Sequence, residues 1–164
     1  MRYVLLIMTT LTLLLSSCLS TARLSDLPKT ADDINFDTYA KKRDIQNDNS
    51  IWTFKTQNEY YLETSAPITQ ETLIKMIRQA LMIRKYSLNT INVEDTRITA
   101  SHGMSGNEWS YVTGVYFKRT PEKTRIYIRT KITQDITGGL KNNLSEKLGM
   151  IIEDYIRHMS SQKA

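Results

Sequence analysis

Cysteine and histidine are scarce here: one Cys and two His among 164 residues. A single thiol excludes an intrachain disulfide, and one Cys with two His excludes a Cys-rich zinc module. His102 and His158 fall in different predicted elements with no HxxxH or CxxC spacing, so each reads as a structural or surface residue and no metal is expected. No Ser stands in a GxSxG setting. The acidic residues are scattered, and Glu94-Asp95 falls in a predicted turn, so no paired carboxylates can be asserted. No catalytic residue and no cofactor are expected, and the chain reads as a non-enzyme. No apolar run reaches the roughly 20 residues that a spanning helix needs. Neither sign of charge dominates: 22 basic residues against 17 acidic give +5, mildly basic rather than polycationic. With 40% hydrophobic residues the composition excludes a mostly disordered or fibrous chain, and the length suits one domain plus a little more.

What is present is concentrated at the start. MRYVLLIMTTLTLLLSSC places Arg2 before an apolar run from Val4 to Leu15, broken by Thr9, Thr10 and Thr12, then Ser16, Ser17 and Cys18. A charged start, a short apolar core and small residues make a secretory signal, here residues 1–17. A retained signal anchor and a buried N-terminal helix are the competing readings; the polar stretch that follows disfavours both. Leu15-Ser16-Ser17-Cys18 resembles the bacterial lipobox, an aliphatic residue and two small residues before Cys. That resemblance implies cleavage before Cys18, a diacylglycerol on its sulfur and an acyl chain (palmitate or similar) on its new amine. A secreted chain with one unpaired Cys exposes a reactive thiol unless something consumes it, and thioether lipidation does so. Each buried methylene contributes about 0.8 kcal/mol, so several chains make an anchor that rarely leaves. In the sorting pattern of enteric lipoproteins an Asp after the Cys retains the protein in the inner membrane. Leu19 is not that signal, so the resemblance implies the outer membrane, with the domain facing the periplasm.

Removing the leader takes Arg2 with it and leaves 21 basic against 17 acidic residues, or +4. Residues 18–49 then read as the lipidated Cys and a flexible tether, with one helical turn near Asp37 to Lys42. Thirty flexible residues span about 30 Å, enough to lift a domain from a membrane. Phe36 and Tyr39 are the residues of this stretch able to pack on the domain.

The folded part is expected over residues 50–164. Ile51–Phe54 and Glu59–Thr64 are short β-type runs, a hairpin across Gln57-Asn58 or one interrupted strand. A helix opens at Thr69, a plausible N-cap, with Leu73, Ile77, Ala80 and Leu81 at helical spacing. Four strands follow: Thr90–Val93, Arg97–Ser101, Glu108–Lys118 and Thr124–Thr133. In the last pair Trp109, Tyr111, Thr113, Val115 and Phe117 share a face that meets Ile126, Ile128 and Ile132, with Val115 opposite Ile126 and Trp109 opposite Ile132. Gly138-Gly139 breaks the chain before a helix from Leu140 to about Met159. A GG pair before a helix could cradle an anion, but a loop break is the simpler reading, as it is for the loop Gly103-Met104-Ser105-Gly106. The order β(β)-α-β-β-β-β-α makes an α+β fold, an antiparallel sheet with two helices on its apolar face. Element order over 51–160 resembles the small helix-on-sheet domains of Gram-negative envelope lipoproteins, and transfers no functional residue.

The other sheet face supplies the candidate site. Tyr116, Lys118, Arg125, Tyr127, Arg129 and Lys131 interleave aromatics and cations, a combination that binds anionic groups or sugars when left open. A plain solvated face with cross-strand pairs is the bland alternative. Gly114 in mid-strand suggests a bulge or a close approach. The function expected is a protein-interaction or scaffold module, anchored to the membrane by lipid and meeting an envelope protein partner. The alternative is a binding module for lipid, lipopolysaccharide or cell-wall material. Nucleic acid is not an expected partner outside the cytoplasm.

Overall fold

A computed structural model of the chain describes residues 22–41, 51–56, 58–87, 90–103, 110–133 and 143–161. The leader, Cys18, residues 42–49 of the expected tether, Met104-Ser105-Gly106, Trp109 and Gly138-Gly139 lie outside the described residues.

Six strands form one antiparallel sheet: β1 (Ile51–Lys55), β2 (Glu59–Thr64), β3 (Ile91–Glu94), β4 (Arg97–His102), β5 (Tyr111–Arg119) and β6 (Thr124–Ile132), in the order β1-β2-β6-β5-β4-β3. The helix Gln70–Ile83 carries the chain from β2 to the far edge at β3, and the helix Leu144–Ser161 follows β6. Numbering helices in chain order, α1 is the five-residue Phe36–Ala40, α2 is Gln70–Ile83 and α3 is Leu144–Ser161. This is the α+β fold and the element order expected from sequence.

Alternation builds one face of the sheet. Tyr60, Leu62, Ile98, Tyr111, Val115, Phe117, Ile126 and Ile128 point to the side where α2 and α3 lie together, and form one core with Leu73, Ile77, Leu81, Leu148, Ile152 and Ile156. Thr69 caps α2, its hydroxyl accepting the Thr72 N–H at 3.2 Å. Gly149 on α3 leaves room for the Tyr60 ring, which a Cβ there would strike. Within this core four hydroxyls form a chain: Tyr86 to Thr113, Thr113 to Thr130 at 2.9 Å, and Thr130 to Ser145 at 2.9 Å. Ser145 donates to the Asn58 carbonyl at 2.8 Å. The Ser145 hydroxyl, with one proton, faces both Thr130 Oγ1 and the Asn58 carbonyl, and in the other two bonds either hydroxyl can donate, so the four hydroxyls form one contiguous buried network.

The sequence and the structure differ at three places. Val115 pairs with Ile128, Phe117 with Ile126 and Tyr111 with Ile132, two residues from the expected register. An even shift keeps every side chain on its face, so the apolar pattern does not separate the two registers. The turn does: Thr120 N–H donates to the Lys123 carbonyl at 2.8 Å, which sets Pro121 at the first central position, where its fixed φ fits. The expected register would put Pro121 second, where Pro is disfavoured. The last helix begins at Leu144 rather than Leu140: Asn143 precedes it, and its backbone carbonyl accepts the first intrahelical bond, from the Lys147 N–H at 2.9 Å.

The third difference is the largest. Over residues 22–41 the expected tether is instead folded structure. Two 3-10 turns, Leu24–Asp26 and Ala31–Asp33, and α1 form a strap across the sheet face opposite the helices. Asp33 and Thr30 close a capping box on the second turn, and Asn35 caps α1. Leu27, Ala31, Ile34 and Phe36 are buried by this docking. They are apolar enough to hold the segment down, although they follow no regular period.

Candidate functional site

The strand register sets one row of side chains across the strap face: Arg97, Tyr116, Tyr127, Tyr61 and Phe54, on five adjacent strands. The flanking rows place Lys118 beside Arg125 and Glu63, and Gly114 beside Arg129 and Glu59. The sequence therefore groups the six candidate residues correctly. It does not show that they are covered.

Tyr116 and Tyr127 are buried, with Tyr61, beneath the strap. Phe36 lies 6.3 Å from the Tyr61 ring, and Tyr39 stacks on Tyr61 at 5.6 Å and tilts against Tyr127 at 4.9 Å. Each hydroxyl in the row finds an acceptor. Tyr116 donates to the Pro28 carbonyl at 2.7 Å, Tyr127 to Glu59 at 2.7 Å and Tyr61 to Glu63 at 2.9 Å. Burial raises the pKa of all three phenols, and for Tyr61 and Tyr127 the neighbouring carboxylates raise it further. They stay neutral donors at any physiological pH.

Gly114 now has a reason. The Tyr116 ring folds back over it, and a Cβ at Gly114 would sit 2.6 Å from ring Cε2 and from the hydroxyl oxygen. The close approach expected from a mid-strand glycine is made by the chain's own tyrosine.

Two cations of the candidate set hold the strap. Lys118 Nζ pairs with Asp32 at 2.8 Å and lies 5.5 Å from the Phe36 ring centroid. Arg125 reaches Asp37 at 2.8 Å and Glu63 at 3.1 Å, and Lys123 adds a contact to Glu63 at 3.4 Å. Burial raises the Glu63 pKa, but the Tyr61 hydroxyl, Lys123 and Arg125 outweigh it and hold the carboxyl below its usual range. The Arg125 guanidinium loses some solvation, yet Asp37 and Glu63 push its pKa up. Arg129 faces a cleft of about 230 Å³ at the strap's edge, lined also by Asp33, Tyr39 and Tyr127. Lys131 is exposed. The open basic–aromatic face expected at Tyr116, Lys118, Arg125, Tyr127, Arg129 and Lys131 is thus largely an internal interface. Three large aromatic side chains in one row are costly to leave in water, and the strap is what covers them.

His102 stacks on Tyr111, with ring centroids 4.7 Å apart, and His158 is exposed in the last turn of α3. Among the described residues no group of three His, Cys, Asp or Glu side chains gathers as metal ligands, and no helix is long and apolar enough to cross a membrane.

No known family model matches this chain, and comparison with curated proteins finds no match.

Proposed function

We propose that the chain is a lipid-anchored protein of the outer membrane, with a non-catalytic domain in the periplasm that meets an envelope protein as an interaction or scaffold module. The observation that carries this reading is the coincidence of pattern and position at Leu15-Ser16-Ser17-Cys18: a lipobox-like sequence, directly after an apolar run, on the chain's sole Cys. Its length of folded chain, begun only four residues after that Cys, supports a domain displayed at the membrane surface. The interaction role is tested by crosslinking in native membranes and capture through a C-terminal tag. Reproducible recovery of an envelope protein is expected; recovery of none overturns the role.

A second reading is favoured by the Arg129 cleft. With Tyr39 and Tyr127 beside the guanidinium, it could take an anionic or sugar group from cell-wall material. Titration with soluble cell-wall fragments would then give binding that Arg129→Ser removes, and no binding at low salt rejects it.

A further inference from the structure

If Cys18 carries lipid, as proposed above, the structure has a consequence for how the domain stands on the membrane. The Ala22 N–H donates to Thr133 Oγ1 at 3.2 Å, and Thr133 Oγ1 is 2.6 Å from the Ser110 hydroxyl. Ala22 is thereby pinned where β6 ends and β5 begins. Three residues separate it from Cys18, four steps of chain with a reach of at most about 14 Å. One end of the sheet therefore stays within that reach of the lipidated residue, whatever path residues 19–21 take.

The side chains at that end differ from those at the other. Tyr86, just after α2, packs edge-on to Tyr111 at 5.4 Å and bonds Thr113, which sets the C-terminal end of α2 at the same rim. Met82 and Ile83 are 47% and 56% exposed there, followed at once by Arg84 and Lys85. On the opposite face of the sheet Leu24 is 42% exposed beside Arg23. Lys131 lies on β6 between them. Among the described residues, the side chains of Arg84, Lys85 and Lys131 form no ion pair, nor does that of Arg23, although its backbone N–H donates to the Asp26 carboxylate at 3.0 Å. At the other end Lys118, Lys123, Arg125 and Arg97 pair with Asp32, Glu63, Asp37 and Glu94, and there only Arg119 among the described strand cations stands without an ion pair; nearer the rim, Lys55 pairs with Glu146 on α3. Exposed apolar side chains next to unpaired cations suit a headgroup layer, where apolar groups leave water and cations meet lipid phosphates.

We propose that this rim, with Leu24, Met82 and Ile83 among Arg84, Lys85 and Lys131, is a second, non-covalent contact with an anionic lipid surface. The domain then stands with β6 running toward the bilayer, its C-terminal end nearest the lipid, and Lys123 sits about 27 Å farther out than Lys131.

The test uses the protein extracted from membranes and reconstituted in vesicles of three parts phosphatidylcholine to one part phosphatidylglycerol with a headgroup quencher. A fluorophore is attached to Lys131→Cys or to Lys123→Cys; the Cys18 sulfur, if it carries a diacylglyceryl group, is blocked as a thioether. Strong quenching at position 131 and little at 123 is expected, reduced at least twofold at 131 by Ile83→Asp with Lys85→Glu. Equal quenching at the two positions, or an Ile83→Asp/Lys85→Glu variant as strongly quenched as the parent, overturns the inference while leaving the lipid anchor intact. A fluorophore that also labels Cys18 overturns the anchor itself, and the orientation with it.

Discussion

The two faces of the sheet are built from different materials. The helix face is closed by branched aliphatics, Ile126, Ile128, Leu148 and Ile152 among them, with one hydroxyl chain buried inside. The strap face is closed by tyrosines whose rings are buried while their hydroxyls reach carboxylates and a carbonyl, with ion pairs around the margin. The first face draws its stability from apolar area and packing, which salt and mild acid leave nearly unchanged. The second adds polar terms that depend on charge, salt and pH. The strap is also one segment of twenty residues, so its docking can fail locally while the helices stay packed.

That contrast can be broken most forcefully from the helix side. Ile152→Ala empties a fully buried position on α3 and should cost about 2–5 kcal/mol, read as a lower urea midpoint for the whole domain. The two glycines separate the faces more finely. Gly149→Ala drives a methyl into the Tyr60 ring, and the resulting overpacking, about 1–3 kcal/mol, exceeds the roughly 1 kcal/mol gained in helix propensity. Gly114→Ala should act differently. Tyr116 must swing away from Pro28, so hydrogen exchange in residues 22–41 should rise while α2 and α3 keep their protection.

Removing only the hydroxyl is gentler. Tyr116→Phe loses the bond to the Pro28 carbonyl and should weaken strap docking by about 0.5–1.5 kcal/mol, again seen in exchange of residues 22–41. The smallest effect concerns Glu63. Its folded pKa lies below the ordinary value of 4.5, so its contribution is present above that pH and is lost as pH falls through the folded value. Strap protection should therefore drop on acidification below about pH 4.5, and Glu63→Gln should flatten that limb. The groups are partly solvated, so the change should stay under about 1 kcal/mol and shrink in high salt.

The same contrast explains what could be read from the sequence. Ile126 and Ile128 alternate with charge, and Leu148, Ile152 and Ile156 recur every fourth residue, so the helix face announces its period. The two-residue register shift was hidden because even shifts preserve that period; only the demand of Pro121 on its turn decides it. The strap announces nothing comparable. Leu27, Ala31, Ile34 and Phe36 follow no sustained spacing, and their docking joins residues far apart, such as Pro28 with Tyr116. Lys118 beside Arg125 and Tyr116 beside Tyr127 were legible as neighbours from alternation alone. That a segment upstream would cover them was not, although Phe36 and Tyr39 stood out as residues able to pack. The useful signal was the tyrosines themselves, too large and too apolar to stand in a row in water.

The thiol at position 18 decides where the domain is held, and the intact mass of the protein extracted from membranes tests its lipidation most directly. The expected mass is that of a chain beginning at Cys18 with a diacylglyceryl group on sulfur and an acyl group on nitrogen. A chain that still begins at Met1, or a Cys18 that an alkylating reagent can modify, contradicts it.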